Sequence, residues 1–286
     1  MTAVSPDSAG VGGRSGRTRW WLTALGLVTA IGAALAAWLV LTLDWEGLKL
    51  ERERAWRRAL VRAGTALPGT PDLTAFDRRL TERGLALGAP VFIRIFKLEF
   101  ELEVWMKRGD RFELFATYPI CRWSGALGPK LQEGDRQAPE GFYTVDARAL
   151  NPSSRWHRSF NLGYPNVLDR EYGRTGSYLM VHGGCGSVGC YAMTDPVIDE
   201  IWRLVTAALK AGQPRFHVHV FPFRMTDEQL KERTRPRWAG FWRDLKAGYD
   251  AFETTRLPPK VSVCDGRYVV SADAPATAGS SVLARC

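Results

Sequence analysis

From Trp20 to Leu43 the chain runs for 24 residues without a charged side chain. As a helix rising about 1.5 Å per residue it would span roughly 36 Å, more than the ~30 Å hydrocarbon layer of a bilayer. A helix apolar on every side has no place on the surface of a globular domain. Trp20, Trp21, Trp38 and Trp45 gather toward its ends, as interfacial tryptophans do. The run therefore predicts a single N-terminal transmembrane helix over 20–43 and withdraws that stretch from any aqueous core. Arg14, Arg17 and Arg19 precede it like the basic region of a leader, and Ala34-Leu35-Ala36 offers a cleavage site. The stretch is long for a cleaved leader, which favours an uncleaved anchor. Lys49, Arg52, Arg54, Arg57, Arg58 and Arg62 follow it, so charge alone leaves the orientation open.

The 286 residues hold enough chain for one large or two small domains with a proper core. Hydrophobic residues make up 45% and charged residues 24%, which marks the bulk as globular. The net charge of +9 favours an anionic partner: membrane lipid, cell-wall polymer or nucleic acid. No phosphate-cradling loop, zinc-finger spacing or RNA-binding signature is present, so nucleic acid is set aside. Much of the arginine lies beside the apolar run, where membrane lipid is the simpler partner.

Composition divides the chain into five segments. Residues 1–19 are rich in Gly, Ser and Arg and read as a disordered tail. Residues 20–43 are the anchor. Residues 44–89 form a helical linker, with one helix over Glu46–Leu67, a break at Pro68-Gly69 and a short second helix over Pro71–Leu85 started by Asp72 or Thr74. Residues 90–225 carry a strand-rich domain and 226–286 an extension. In Lys97–Val104 apolar residues alternate with charges, which predicts a half-buried strand with an exposed, mostly acidic side. Strands are also expected at Phe112–Ile120, Gly141–Val145, Tyr178–His182 and Phe216–Phe223. Asp195–Ala211 is the clearest helix, with Thr194 or Asp195 as cap and Pro196 in its first turn. Helices near Thr226–Arg233 and Trp238–Phe252 follow. The tail from Thr254 reads as irregular apart from a strand at Arg267–Val270. The fold class is mainly β with one main helix in the domain.

Val181 to Thr194 reads Val-His-Gly-Gly-Cys-Gly-Ser-Val-Gly-Cys-Tyr-Ala-Met-Thr. A thiolate is the nucleophile in acyl transfer, and an imidazole within reach takes the thiol proton and returns it to the leaving amine. Glycine lets backbone N–H groups approach a reacting carbonyl. His182 and Cys190 in this Gly-dense run are therefore candidate base and nucleophile. A lone cysteine is more often a buried structural residue, and a histidine at a strand end can be a core one.

The segment from His182 to Asp195 resembles the active-site motif of the YkuD-type L,D-transpeptidase family, in the YafK-like branch where it is compressed to HGxxxSxGC. Further stretches are similar in the same order: Tyr118-Pro-Ile-Cys, Ser124-Gly-Ala-Leu-Gly-Pro-Lys, Pro139-Glu-Gly-Phe-Tyr, Leu150-Asn-Pro-Ser-Ser-Arg, Ser159-Phe-Asn-Leu-Gly-Tyr-Pro-Asn and Gly173-Arg-Thr-Gly-Ser. They run from about Pro90 to Met225. The resemblance implies a β-sandwich catalytic domain outside the bacterial cytoplasmic (inner) membrane, in the periplasm, acting on peptidoglycan stem peptides and needing no cofactor or metal. It implies attack on the amide after the L-centre of diaminopimelate, a cysteinyl thioester, and resolution by an amine of another stem peptide or of a wall-linked lipoprotein. Some members of the branch use water instead. Carried over, Cys190 is the nucleophile, His182 the base, and the Gly183 carbonyl orients the imidazole in place of a carboxylate. Backbone N–H groups near Gly189 and Cys190 would form the oxyanion hole, and Ser187 would shape the loop. Val188 stands where the wider family has a histidine.

Lys130, Glu140 and Arg174 are candidates for contact with the charged stem, and equally ordinary solvated residues. Trp156, Phe160, Tyr164 and Tyr172 could line a groove or fill the core. Cys185 could pair with Cys121, cap the site or do neither. A zinc site from His182, Cys185, Cys190 and His217 or His219 has ligands of the right type but no usual spacing, and it would consume the nucleophile. Cys264 and Cys286 are expected to pair in an oxidising compartment, and five cysteines leave at least one free. The rival functions are a hydrolase of the same architecture and a catalytically idle wall-binding module.

Overall fold

The computed structural model describes residues 15–233, 235–275 and 284–286. The tail expected over 1–19 therefore lies, up to residue 14, outside the described residues. The chain divides into two compact units, Met1–Lys49 and Leu50–Cys286. In the first, helix α1 (Ser15–Thr42) leaves Leu25, Leu27, Ile31, Leu35 and Leu39 exposed. Among the described residues no single helix is long and apolar enough to cross a membrane; Leu25–Val40 and Trp45–Arg62 pass only as a bent pair, by length and composition. The single span expected over 20–43 is not shown.

Helix α2 (Trp45–Arg62) enters the second unit, where it buries Leu50, Arg54 and Arg57. Its arginines are held rather than solvated. Arg54 donates to the Gly125 carbonyl at 2.7 Å and lies over the Trp123 ring, and Arg57 donates to the Ile120 carbonyl at 3.1 Å. Asp72 caps a 3-10 turn at Leu73–Ala75 that leads into α3 (Phe76–Glu82).

The strand expected over Lys97–Val104 begins only at Glu101, after a separate strand and a turn. β1 (Val91–Phe96) and β2 (Glu101–Arg108) are antiparallel, and the chain reverses between them with Phe100 at φ 55°. The acidic side expected to face solvent is instead half-buried at Glu99 and Glu101 and buried at Glu103. Glu103 is buried and takes bonds from Arg94 and the Trp105 indole, while Arg224 pairs with its other oxygen. The alternation was real, but its charged face meets partners brought from elsewhere in the chain.

β3 (Arg111–Pro119) completes a hairpin with β2, and β4 (Arg122–Trp123), β5 (Gly141–Asp146), β6 (Leu150–Ser154) and β7 (His157–Asn161) follow. Next come α4 (Val167–Glu171), β8 (Met180–His182), β9 (Tyr191–Ala192), α5 (Asp195–Lys210) and β10 (Arg215–Phe221). One five-stranded sheet has the order β3-β2-β1-β10-β5 and a second the order β4-β9-β8-β7-β6. β1 pairs with β10 in parallel and β8 with β9 in parallel, so the sheets are mixed.

The domain also carries several helices rather than one main helix. After α6 (Asp227–Arg233), helix α7 (Ala239–Thr255) has 17 residues against 16 for α5. α7 covers one face of the first sheet, with Phe252 against Phe92 and Tyr249 against Phe96 and Phe221. α5 and the second sheet lie on the other face, where Phe160 meets Phe216 and the Tyr118 hydroxyl donates to Glu200 at 2.6 Å. Ile198, Ile201, Leu204 and Val205 of α5 are fully buried at helical spacing.

The tail is more regular than its composition suggests. β11 (Pro259–Cys264), β12 (Arg267–Pro275) and β13 (Ala284–Arg285) form a three-stranded sheet, and Cys264 is bonded to Cys286. Tyr268 ties it to the body, stacking edge-on against Phe142 and accepting from Asn166 at 2.7 Å. Turn-like composition hid these strands, and Tyr268 finds Phe142 and Asn166 far away in sequence.

Candidate functional site

β7, β8 and β9 lie side by side, with Ser159 opposite His182 and His182 opposite Ala192. Parallel pairing of β8 with β9 forces residues 183–190 to leave one strand end and return to the other strand's start. That excursion is the Gly-dense run, and it brings His182 and Cys190 to one cleft of about 500 Å³. The loop is pinned at several points. Met193 N–H donates to the His182 carbonyl at 2.7 Å, Gly183 N–H to the Arg158 carbonyl at 3.2 Å, and Gly184 N–H to Asp195 Oδ1 at 2.7 Å. A Cβ on Gly183 would lie 2.5 Å from that same Asp195 oxygen, so only glycine fits there. Cys185 is bonded to Cys121, which ties the loop to the strand region before β4.

His182 is buried, and its Nδ1 lies 2.6 Å from the Gly183 carbonyl oxygen. A carbonyl only accepts, so Nδ1 carries the proton and Nε2 is left with its lone pair. Burial pushes the imidazole below its usual range, opposed by this hydrogen bond. Trp156 lies against the ring with centroids 5.9 Å apart. Its indole also covers Gly184 and Gly186, where a Cβ would sit 3.0 and 3.6 Å from it.

Cys190 is the free cysteine of the described residues. Its Sγ accepts from Met180 N–H at 3.4 Å and donates to the Tyr178 carbonyl at 3.5 Å. Burial raises the thiol, opposed by the Met180 N–H and by the positive charge of Lys130. Burial thus favours the neutral form of both side chains. Ser187 clamps the turn: its hydroxyl accepts from Cys190 N–H at 3.0 Å and donates to the Cys190 carbonyl at 2.6 Å. Gly189, at φ 95°, donates its N–H to the Ser124 hydroxyl at 2.6 Å.

Those last contacts change one assignment. The N–H groups of Gly189 and Cys190, expected to bind an oxyanion, are already engaged by two serine hydroxyls. In the same loop the N–H groups of Gly186, Ser187 and Val188 make no hydrogen bond among the described residues.

Three expected substrate contacts are also reassigned. Glu140 is fully buried against Lys97, Gly128 N–H and the Trp242 indole. Arg174 is buried in an ion pair with Asp169 at 2.7 Å. Lys130 is buried against Asp135 and the Gln132 carbonyl, and it reaches Cys190 only through its field. Each charge is neutralised inside the fold. Of the four aromatic residues, only Trp156 lines the cleft. Phe160 and Tyr164 are buried, and Tyr172 lines a separate cavity of about 490 Å³ with Arg174 and Trp238.

The zinc set is not brought together. Cys185 is in its disulfide, and His217 and His219 lie on β10 in the other sheet. Among the described residues no group of three or more His, Cys, Asp or Glu side chains could hold a metal.

Arg58, Arg122 and Arg155 line the cleft and were not anticipated. Ser124, Asp195 and the backbone of Tyr178 and Met180 were likewise missed as parts of the site, although Ser124 and Asp195 stand inside the quoted motifs.

Residues 99–239 match the family model described as the YkuD L,D-transpeptidase catalytic domain. YafK of Escherichia coli (strain K12) is 51% identical over 185 residues, which is 65% of this chain and 75% of that protein. YafK of Escherichia coli O157:H7 matches to the same extent. Among solved structures, the helical cell shape determining protein Pgp2 from Campylobacter jejuni (K307A mutant) covers 65% of this chain and 65% of its own at 20% identity and a TM-score of 0.39, too low to bear on function. With half of the aligned residues shared over three quarters of a relative, and the catalytic domain model spanning the His182–Cys190 loop, the chain belongs to the YkuD family of L,D-transpeptidases, in its YafK-like branch.

Proposed function

We propose that the protein is a peptidoglycan L,D-transpeptidase working through a thioester on Cys190. The carrying observation is the imidazole of His182, held by the Gly183 carbonyl with Nε2 free, in one cleft with an unpaired thiol. His182 Nε2 takes the thiol proton as Sγ attacks the carbonyl after the L-centre of diaminopimelate in a tetrapeptide donor. The S–C bond forms, the C–N bond breaks, and the proton passes from His182 to the departing amine. An incoming amine, from a second stem peptide or a wall-linked lipoprotein, gives up a proton to His182 and displaces the thiolate. The uncommitted N–H groups of Gly186, Ser187 and Val188 are the donors available to the oxyanion. No cofactor enters this scheme.

The apolar run over 20–43 supports an N-terminal membrane anchor with lipid as its partner, the catalytic unit facing the periplasm. Two disulfides, Cys121–Cys185 and Cys264–Cys286, support an oxidising compartment for that unit.

Muropeptides and lipoprotein-linked sacculi incubated with the full-length protein and followed by mass spectrometry test the reaction. New crosslinks mean transfer; loss of linkages means that water resolves the thioester. A carbapenem should add its mass to the wild type and not to Cys190→Ala. An unchanged product pattern in Cys190→Ala would refute the nucleophile. An inactive phosphatase fusion at the C-terminus would refute the periplasmic orientation.

A further inference from the structure

The acyl-transfer chemistry leaves three side chains of the cleft without a task. Arg58 comes from α2, Arg122 from β4 and Arg155 from the turn joining β6 to β7. No carboxylate lies among the residues that line the cleft. None of the three forms an ion pair, and their guanidinium groups make no hydrogen bond among the described residues. Arg155 instead lies over the ring of Trp156, 5.5 Å from its centroid, and that ring lies against His182. Arg122 has a buried Nη1 with no partner. Burial works against its charge, the charges of Arg58 and Arg54 add to that, and Glu51 opposes it only through its field, without an ion pair.

The contrast with the neighbouring arginines is informative. On α2, Arg54 pairs with Glu51 and Arg57 with Glu53, and both then reach backbone carbonyls of the segment around β4. Those two contacts fix α2 beside β4 and so hold Arg58 near Arg122. One turn of helix thus carries two neutralised arginines that dock it and one unneutralised arginine that faces the cleft. Gathering like charges in a partly desolvated place costs free energy unless an anion completes it. Guanidinium groups match the planar geometry of carboxylates.

We infer that Arg58, Arg122 and Arg155 form a carboxylate subsite beside Cys190 that selects peptides bearing free carboxylates next to the scissile amide, and that α2 is thereby part of the catalytic cleft. This rests on the proposal that Cys190 acts on a stem peptide, an acidic peptide of this kind. Arg58 lies outside the residues matched by the family model, 99–239, so the catalytic domain alone would lack one wall of its site.

Binding tests the subsite separately from turnover. Full-length Cys190→Ala protein in detergent is titrated calorimetrically with a diaminopimelate-containing tetrapeptide and with the same peptide amidated at its carboxyl groups. The free acid should bind at least tenfold more tightly. Adding Arg58→Gln or Arg122→Gln should weaken the free acid about tenfold, near 1.4 kcal/mol, and leave the amidated peptide within twofold. Arg58→Lys should recover part of the loss, which a merely structural role would not predict. Equal affinity of the glutamine variants and their parent for the free acid overturns the inference. So does unchanged peptide affinity with lost binding to phosphatidylglycerol vesicles, since the arginines would then serve lipid. Arginine-dependent binding by a wild type that forms no thioester would refute the acyl-transfer proposal and leave the subsite standing.

Discussion

Replacing Glu140 by alanine would strand an ammonium ion in the core. Lys97 Nζ and Glu140 are both fully buried and 2.8 Å apart. Nζ also donates to the carbonyls of Ala126, Gly128 and Ala138 at 2.8, 3.0 and 3.1 Å. Glu140 in turn accepts from Gly128 N–H at 2.6 Å and from the Trp242 indole at 2.9 Å. Removing one partner of a buried pair costs about 3–5 kcal/mol, and each orphaned donor about 1–3 kcal/mol more, without simple additivity. We take about 4 kcal/mol as a working figure. At about 2–4 °C per kcal/mol for a unit of this size, the midpoint should fall by about 8–16 °C. Calorimetry of the full-length protein in detergent measures this. The double variant Lys97→Met/Glu140→Leu should be less destabilised than Glu140→Ala, because no charge is left unpaired. A midpoint within about 3 °C of wild type, together with a raised KM, would refute the reasoning and return Glu140 to the role of substrate contact.

Other outcomes follow from the same geometry. Burial raises the Cys190 thiol and lowers the His182 imidazole, which favours the neutral form of both side chains. Alkylation of Cys190 by iodoacetamide should then climb with pH through the ordinary cysteine range; a rate already level near pH 6 would mean a preformed thiolate–imidazolium pair. Ser187→Ala should lower kcat by about tenfold or more while thermal stability falls by only about 1–2 kcal/mol, because the hydroxyl holds both the N–H and the carbonyl of Cys190. Unchanged kcat would remove Ser187 from the site. His217 is buried without a hydrogen-bond partner and its pKa is pushed down to about 4 by burial, with Arg215 adding to it. The unfolded chain binds this proton near pH 6.5 and the native one only near 4, so stability should fall as pH drops across that window, by up to about 3 kcal/mol. His217→Phe should flatten that part of the curve, which equilibrium unfolding at several pH values will show.

Much of the site is legible in the chain because it is local. His182, Gly183, Ser187 and Cys190 fall within nine residues, and the chemistry that links them is written in their order and in the glycines between them. The helix from Asp195 is equally readable, since its buried stripe has a helical period, and the strands at Gly141, Met180 and Arg215 show as short runs rich in β-branched and aromatic residues that are buried almost throughout. The alternating run at Lys97–Val104 misled for the opposite reason. Its charges looked solvated, but Lys97 and Glu103 find their partners 43 and 121 residues away, in Glu140 and Arg224. The oxyanion donors misled in the same way, since Ser124 lies 65 residues from the Gly189 it holds.

The sequence by itself determined the family and the glycine turn, and it singled out the candidate nucleophile and base within that turn. It did so because those requirements are short-range: a proton must move between neighbouring groups, and a tight loop needs glycine. The tertiary structure alone decided which charges line the cleft. Lys130, Glu140 and Arg174 are spent on buried partners, while Arg58, Arg122 and Arg155 are brought from three elements to one cleft, where they form no ion pair among the described residues. A charged residue looks the same in a sequence whether it is paired or free. Only the packing of distant segments, and the desolvation that comes with it, makes the difference.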